Sequence, residues 1–362
     1  MTCSEEEVRR LVGALADPHN GRTLADDGAV RTVGIEPGKL RVEIVLPYPA
    51  RGWLEELEAQ VRKALAACLG GRALELDLRW RVPAHEVQEG LSPLPGVRNI
   101  VAVASGKGGV GKSTTAVNLA LALAAEGARV GVLDADVHGP SVPCMLGLAG
   151  RPESPDGRSI RPLVGHGVQA MSIGLLAGED TPMIWRGPMA SQALQQLLGQ
   201  TLWDDLDYLV VDLPPGTGDI QLTLCQKVPL SAALIVTTPQ DIALLDARKA
   251  LRMFEKVSVP VLGIVENMAL HVCSRCGHAE PIFGEGGGAR MAEQYGVPLL
   301  GSLPLDIRIR EQADGGTPTV VAVPDSELAA RYRRIARNAA ARLALRARSK
   351  SLAGPRIVIQ DS

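Results

Sequence analysis

The 362-residue chain is longer than a single hydrophobic core usually supports, so its length predicts two domains. Its composition, 46% hydrophobic and 22% charged, is typical of a folded globular protein and excludes a disordered chain. Because 38 basic residues face 40 acidic ones, the formal net charge of -2 provides no overall attraction to nucleic acid or to an anionic membrane.

The start of the chain shows no targeting signal. Ser4–Glu7 is acidic and no apolar run follows it, so we expect no signal peptide. No apolar stretch reaches the roughly 20 residues needed to cross a bilayer. We therefore expect a cytoplasmic protein with no membrane partner and no specific nucleic-acid partner. In a reducing cytosol its six cysteines, Cys3 and Cys68 included, would remain thiols.

Residues 1–82 have the pattern of a small α+β domain. Apolar residues recur at helical spacing in two segments and alternate with period two in two others. In chain order, the predicted elements are a helix over Glu5–Leu15, a strand over Leu40–Leu46, a helix over Trp53–Leu69 and a strand over Ala73–Val82. Residues 83–97, with three prolines and two glycines, are predicted to be a linker.

From residue 98 onward, short apolar runs alternate with helical segments. The predicted strands are Ile100–Ala104, Val130–Leu133, Tyr208–Asp212, Ala233–Thr237 and Val261–Val265. This alternation predicts an α/β domain over residues 98–346 with a doubly wound, mainly parallel sheet. A last helix is predicted over Leu328–Arg346, followed by a disordered tail over residues 347–362.

The segment Gly106–Ser113 fits the phosphate-binding pattern G-x-x-x-x-G-K-[ST], and it lies between a predicted strand and the helix Thr114–Ala125. Backbone N–H groups of such a loop converge on phosphate oxygens at the positive end of the helix. Lys112 would neutralise phosphate charge and Ser113 would coordinate Mg²⁺. The predicted nucleotide-binding residues are Gly106, Gly108, Gly109, Val110, Gly111, Lys112, Ser113 and Thr114.

A second lysine, Lys107, lies inside this loop. It resembles the signature lysine of the deviant Walker A (SIMIBI-type) P-loop NTPases, which include nitrogenase iron protein and the septum-placing ATPases. In that group the lysine reaches the nucleotide of a partner chain, so the resemblance implies ATP-dependent homodimerisation and a catalytic role for Lys107. A solvated lysine is the alternative interpretation.

Aspartates follow two predicted strands and are expected at the carboxyl edge of the sheet, where ligands bind. By similarity to the deviant Walker A group, Asp136 would orient the attacking water and Asp212 would hold the Mg²⁺ shell. Asp134 is expected either to support these residues or to cap a turn. No Asn-Lys-x-Asp guanine signature occurs, so ATP is the expected nucleotide, and Asn267 resembles the asparagine that reads adenine in related ATPases.

The pair Cys273 and Cys276 forms a C-x-x-C motif next to Gly277. A thioredoxin-like redox pair would be expected near a first strand, which this pair is not. Two thiolates supply half of a four-ligand site. A two-fold dimer would complete it as a [4Fe–4S] cluster on the axis. The alternative is a zinc site within one chain, bound by Cys273, Cys276 and one or both of His271 and His278.

Several stretches together resemble the Mrp/Nbp35-type (ApbC-like) iron–sulfur cluster carrier ATPases. They are Gly106–Thr115, Asp134–Ser141, Ile184–Met189, Asp212–Asp219, Thr237–Asp241, Val265–Met268 with the C-x-x-C, and Ile282–Gly284. In the N-terminal unit, Asp17–Pro18, the acidic turn Asp26–Gly28 and Pro47–Ala50 resemble the MIP18-type (DUF59) domain of bacterial members. The resemblance implies an ATPase that holds a [4Fe–4S] cluster between two copies and transfers it to apo-proteins. His138, where many members have tyrosine, departs from the pattern.

Two other functions remain open at the level of sequence. A ParA/MinD-like positioning ATPase would share the P-loop and Lys107 but requires a membrane-binding helix or a basic DNA-binding surface, and no metal motif. An ATPase with a structural zinc at the C-x-x-C would keep the nucleotide chemistry and lose the cluster.

Overall fold

The computed structural model describes residues 3–137, 139–176, 187–273 and 275–351. Within these residues no helix is both long and apolar enough to span a membrane. The chain divides into two compact units, one formed by the chain up to His85 with the described residues from Ala340 onward, the other by Glu86–Ala339. The division at His85 falls inside the segment predicted as a linker.

The first unit packs two helices on one three-stranded sheet. Its elements are α1 (Glu5–Gly13), β1 (Val30–Glu36), β2 (Lys39–Leu46), α2 (Leu54–Leu65) and β3 (Ala73–Trp80). β2 pairs antiparallel with β1 and parallel with β3. Ser4 caps α1 by accepting the N–H of Glu7 at 3.2 Å, which explains why the helix begins there. The predicted α+β class of this unit is confirmed, and β1 is an additional strand.

The expectation that all six cysteines remain thiols is wrong for Cys3 and Cys68, which form a disulfide. Cys3 lies just before α1, and Cys68 ends the short 3₁₀ turn after α2. The fold brings their Cα atoms to 5.0 Å across a sequence separation of 65. Long-range proximity of this kind leaves no trace in the local pattern from which the thiols were predicted. The other four cysteines are free.

The second unit is built on an eight-stranded sheet with strand order β13-β10-β9-β4-β8-β5-β7-β6. Its strands are β4 (Ile100–Ala104), β5 (Val130–Asp134), β6 (Leu163–Gly165), β7 (Val168–Ser172), β8 (Tyr208–Asp212), β9 (Ala232–Thr237), β10 (Val261–Glu266) and β13 (Leu299–Ser302). All pairings are parallel except that of β6 with β7. A separate hairpin joins β11 (His271–Val272) and β12 (Ala279–Glu280).

The helices of this unit cover the sheet. They are α3 (Lys112–Ala125), α4 (Val142–Met145), α5 (Gly187–Gln200), α6 (Asp219–Lys227), α7 (Asp241–Lys256), α8 (Gly287–Tyr295), α9 (Ile307–Asp314) and α10 (Thr319–Ala322). A last helix, α11 (Glu327–Ser351), begins in this unit, and its residues from Ala340 onward belong to the first unit. The central strands β4, β5 and β8 are buried along their whole length, as their continuous apolar runs require. The doubly wound, mainly parallel sheet is thereby confirmed. α11 continues past the predicted end at Arg346.

Candidate functional site

The phosphate-binding loop connects the end of β4 to the start of α3. Two of its glycines, Gly109 and Gly111, have φ angles of 82° and 81°, in the left-handed region that favours glycine. Gly111 is the residue from which α3 begins, so the N–H groups of the first helical turn face the loop. The motif predicted from sequence therefore adopts the backbone shape that binds phosphate.

Two positions of the loop must be glycine because neighbouring atoms leave no room for a Cβ atom. A Cβ atom on Gly106 would lie 2.1 Å from the carbonyl carbon of Asp246, so the loop rests directly on the backbone of α7. A Cβ atom on Gly111 would lie 2.3 Å from the side-chain nitrogen of Asn267. That nitrogen donates to the carbonyl oxygen of Val110 at 2.9 Å. Asn267, predicted to read adenine, is thus in contact with the loop.

A buried ion pair lies at the centre of the site. Lys112, 6% exposed, places its ammonium 2.6 Å from Oδ1 of Asp212, whose side chain is fully buried, and 3.1 Å from the hydroxyl of Ser113. β4 and β8 are neighbours in the sheet, so the end of β8 reaches the start of α3. The structure brings together the three residues to which sequence assigned phosphate and metal binding.

The donor set around Asp212 fits a magnesium ion. Its second oxygen, Oδ2, is buried and accepts no hydrogen bond from the part of the chain that the structure describes. Burial raises the pKa of Asp212, and the adjacent Lys112 ammonium acts in the opposite direction. A buried carboxylate oxygen beside the Ser113 hydroxyl provides the hard oxygen ligands that Mg²⁺ prefers.

Asp134 shapes the loop that carries Asp136. Its carboxylate accepts the backbone N–H groups of Asp136 at 3.1 Å, Ser141 at 3.0 Å and Val142 at 3.1 Å. The Ser172 hydroxyl adds a fourth hydrogen bond at 3.2 Å. Burial, together with the nearby Asp212 carboxylate, raises the pKa of Asp134 to about 7. These hydrogen bonds cap the turn and also hold the loop that carries Asp136, so the contacts of Asp134 fit both of the roles expected for it.

Ser172 is a site-supporting residue that sequence reasoning missed. It ends β7, which pairs with β5 so that Asp134 and Ser172 lie in register. Strand β7 was not predicted, and a serine at the end of an unpredicted strand gives no local signal. Only the order of strands in the sheet reveals the contact.

Lys107 is half-buried in the loop, and its carbonyl oxygen accepts the Ser105 hydroxyl at 2.9 Å. Its ammonium forms no ion pair with any residue that the structure describes. Thr114 occupies the first turn of α3, where its carbonyl accepts the Asn118 side chain. The roles of Lys107 and Thr114 stay predictions.

The cysteine pair is carried by a small hairpin between β11 and β12. Cys273 donates its backbone N–H to the carbonyl of His278 at 2.9 Å, and Gly277 donates to the carbonyl of Cys273 at 2.9 Å. Gly277, which directly follows Cys276, has a φ of 71°, in the left-handed region that favours glycine, and so belongs to the tight turn that leads to β12. Cys273 is half-buried and Cys276 is exposed.

The hairpin favours the thiolate form of one cysteine. The backbone N–H groups of Arg275 and Cys276, and the Cys276 thiol, hydrogen-bond to Cys273 and hold its pKa below the ordinary thiol value. Among the described residues no group of three His, Cys, Asp or Glu side chains converges as a metal site. His271 instead has its Nδ1 3.2 Å from the Leu305 carbonyl. At the hairpin, the described residues of one chain thus offer the two thiols of Cys273 and Cys276.

A short path links the two sites. Asn267, against the phosphate loop, is followed by Met268, which holds a φ of 56° rarely adopted by a side-chain-bearing residue. Ala269 then donates to the carbonyl of Leu303 at 2.9 Å, and the Leu270 carbonyl accepts the N–H of Leu305 at 2.8 Å. The chain then enters the hairpin. The loop and the cysteine pair are therefore connected through one constrained backbone segment.

Parts of two stretches that carried the resemblance lie outside the described residues. They are Ile184–Arg186, from the Ile184–Met189 stretch, and the departing residue His138, from the Asp134–Ser141 stretch. The remaining stretches belong to the edge of the sheet around β4, β5, β8, β9 and β10 or to the hairpin.

Family models match both parts of the chain. The model described as NUBPL iron-transfer P-loop NTPase matches residues 96–340, and the one described as iron-sulfur cluster assembly protein matches residues 5–75. The first match covers more than half of the chain, including the phosphate loop and both cysteines.

Curated relatives match over nearly the whole length. The iron-sulfur cluster carrier protein of Escherichia coli (strain K12) is 53% identical over 348 residues, 94% of each chain. That of Deinococcus radiodurans is 45% identical over 346 residues, 95% of this chain and 97% of the relative. The iron-sulfur cluster transfer protein NUBPL of Mus musculus is 52% identical over 253 residues, 69% of this chain and 79% of the relative.

Solved structures match the second unit. A nucleotide-binding protein from Archaeoglobus fulgidus, in complex with ADP, is 37% identical and covers 64% of this chain and 91% of its own, with a TM-score of 0.57. The cell division ATPase MinD of Pyrococcus furiosus is 24% identical and covers 66% of this chain and 97% of its own, with a TM-score of 0.50. The second likeness shows the fold alone.

Proposed function

This chain belongs to the NUBPL iron-transfer P-loop NTPase family, and on that premise we propose that it is an ATPase that carries an iron–sulfur cluster. It holds a [4Fe–4S] cluster between two copies of itself and transfers the cluster to apo-proteins. ATP binding and hydrolysis control loading or transfer. The names of its relatives from Escherichia coli and mouse, a carrier and a transfer protein, support this function.

The proposal rests on one observation: a single chain assembles the side chains of the nucleotide site but only part of a cluster site. The nucleotide site has its cation, its hydroxyl and its carboxylate assembled within one chain. The cysteine site has two thiols and no third ligand group among the described residues. A cluster needs four thiolates. One hairpin supplies two of them, and the hairpin of a second copy supplies the other two.

In the nucleotide site, Lys112 binds the β- and γ-phosphates by exchanging its contact with Asp212 for phosphate oxygens. Ser113 and Asp212 would hold Mg²⁺, which supplies charge neutralisation at the phosphates. Asp136 orients the attacking water from the loop that Asp134 holds in place. Lys107, whose ammonium has no partner charge in the described part of its own chain, reaches the nucleotide of the other copy.

In the cysteine site, Cys273 and Cys276 from each copy bind the cluster as cargo. The lowered pKa of Cys273 keeps its sulfur available as the thiolate that binds iron. The exposed position of Cys276 leaves the cluster accessible to a recipient apo-protein. Because the cluster lies between the two copies, a change in how the copies pack can open the cluster site.

ATP binding and cluster binding are coupled through the backbone segment that runs from Asn267 to the cysteine hairpin. Nucleotide contacts that move Asn267 away from the Val110 carbonyl change the strain at Met268, and the hairpin begins immediately after the next two residues. ATP thereby alters cluster affinity through a physical connection, and the effect is reciprocal. The protein works in the cytoplasm, where apo-proteins acquire their clusters.

The proposal is tested by cluster transfer. The protein is reconstituted with iron and sulfide without oxygen, separated from free iron, and mixed with an apo-enzyme whose activity needs a [4Fe–4S] cluster. We expect activation of the apo-enzyme that survives an iron chelator in solution and changes in rate with ATP. Tight zinc binding with no iron uptake would contradict the proposal, as would activation that the chelator abolishes.

A further inference from the structure

The structure contains a second charged site outside the nucleotide and cysteine sites. It is a cavity of about 360 Å³ between the loop after β8 and one face of α7. Four cations lie along it. They are Arg248, Lys249, Arg252 and Lys256. We call this the α7 basic groove.

The spacing of these cations places them on one side of the helix. Arg248, Arg252 and Lys256 follow one another at intervals of four residues, so they form a continuous stripe on α7. Lys249 and Arg252 pair with Asp246 and Glu255 on the same helix. The other two cations, Arg248 and Lys256, form no ion pair with any described residue.

Arg248 has an unsatisfied donor. Its Nε atom is buried and has no hydrogen-bond partner within the described residues. A buried guanidinium donor without an acceptor is unfavourable, and an incoming carboxylate or phosphate oxygen removes that cost. Arg252 is held in place by the ring of Tyr295, whose centroid lies 5.4 Å from its guanidinium carbon. The stripe therefore contains one unsatisfied donor and one preorganised cation.

The remaining walls of the groove favour a peptide over a nucleic acid. Leu222 and Met253 form an apolar floor, and Thr217 adds a hydroxyl at the rim. Methylene groups of a glutamate side chain fit such a floor while the carboxylate reaches the arginines. Nucleic acid needs a long track of phosphate contacts, whereas this groove provides four cations along one helix.

We propose that the α7 basic groove binds an acidic segment of a partner protein through the carboxylates of its side chains. The groove adjoins the nucleotide site on two sides: Thr217 belongs to the loop that follows Asp212, and the backbone just before Arg248 supports Gly106. A partner bound here lies on the same helix whose backbone contacts Gly106 of the phosphate loop. This inference does not depend on the cluster chemistry proposed above.

The test is binding of a fluorescein-labelled octaglutamate peptide to the full-length protein at low salt, without iron or nucleotide, followed by fluorescence anisotropy. We expect saturable binding that weakens as salt rises. Changing Arg248→Gln and Arg252→Gln together should weaken binding about tenfold or more. Lys256→Gln, at an exposed position that is not needed for folding, should weaken it about threefold.

The matched control is Arg310→Gln. Arg310 is 63% exposed, like Arg252 at 65%, and it also pairs with a carboxylate on its own helix. Its replacement should leave octaglutamate affinity unchanged. No saturable binding, or equal losses in Arg310→Gln, would overturn the proposal. A DNA duplex or inorganic pyrophosphate that binds more tightly than octaglutamate, and whose binding is lost in the α7 variants, would also overturn it. The groove would then be a phosphate site.

Discussion

The phosphate loop and the cysteine hairpin differ in how much of each site one chain supplies. The loop is fixed by buried partners: Lys112 is paired with Asp212, and Gly106 lies against the backbone of α7. The hairpin has two-residue strands and an exposed Cys276. The loop is preorganised for its ligand, whereas the hairpin lacks half of the ligands that a cluster needs.

This difference assigns the two sites different tasks. A buried, preorganised charge site binds tightly and holds the reacting groups in position, which is the requirement for phosphate chemistry. In our proposal, the pair of thiols is completed by a second chain and binds a cargo that must later leave, which the exposure of Cys276 favours. The comparison predicts that substitutions in one region leave the activity of the other measurable.

The largest effect is expected at the hairpin. Cys273→Ser should reduce iron after anaerobic reconstitution from roughly four per dimer to background, because serine does not replace a thiolate ligand of a [4Fe–4S] cluster. Nucleotide binding should be retained. Cys144→Ser is the control, since Cys144 is also a free thiol and lies outside the hairpin. Equal iron uptake by both variants would place the cluster elsewhere.

The second-largest effect is expected in the phosphate loop, where replacing Lys112 and replacing Lys107 should have different consequences. Lys112→Ala should lower ATP hydrolysis by about 100-fold or more, since it removes the cation that faces the phosphates. It also leaves the Asp212 carboxylate buried without its partner, so a thermal melt must accompany the assay. Lys107→Ala should keep nucleotide affinity and lose nucleotide-dependent dimerisation, measured by light scattering. Full dimerisation in Lys107→Ala would show that the lysine is only solvated.

A smaller effect tests the close packing of the loop. Gly106→Ala should destabilise the protein by roughly 1–3 kcal/mol, because the new methyl group overlaps the α7 backbone at Asp246. Gly108→Ala has open space around its Cβ position and should change stability by less than about 0.5 kcal/mol. Denaturant unfolding without nucleotide measures both. Similar values for the two variants would contradict the contact.

The smallest effect concerns the pH at which Cys273 reacts. Its pKa is lowered in the folded chain, so its thiolate should form, and its alkylation rate should rise, at a pH below the roughly 8.5 of a free thiol. Unfolding removes the hydrogen bonds from Arg275 and Cys276, and the midpoint should move up towards that value. Mass spectrometry of alkylated peptides follows this residue alone. An unchanged midpoint on unfolding would contradict the hydrogen bonds to its sulfur.

How far the sequence predicts the molecule depends on the range of the interaction. The loop from Gly106 to Ser113 and the cysteine pair are short motifs whose residue types and spacing determine the local backbone, and both could be predicted. The parallel sheet followed from alternating segments. Contacts between residues far apart in sequence could not be predicted: Ser172 beside Asp134, which depends on the strand order, and the disulfide of Cys3 with Cys68, which depends on the packing of the first unit.

The position of Asn267 could be predicted only in part from the sequence. A resemblance placed Asn267 at the nucleotide, and the structure places it against Val110. The strained residue after it, Met268, has no signal in the sequence because positive φ is expected for glycine or asparagine. The backbone path that links the two sites therefore became visible only in three dimensions.

The most direct test of the central claim is the native mass of the protein after anaerobic reconstitution, measured together with its iron and sulfide content. Our account predicts a dimer that carries one [4Fe–4S] cluster, roughly four irons for two chains. It also predicts that the cluster-bearing dimer changes in abundance when ATP is added. A monomer that retains one zinc ion and takes up no iron would contradict the account.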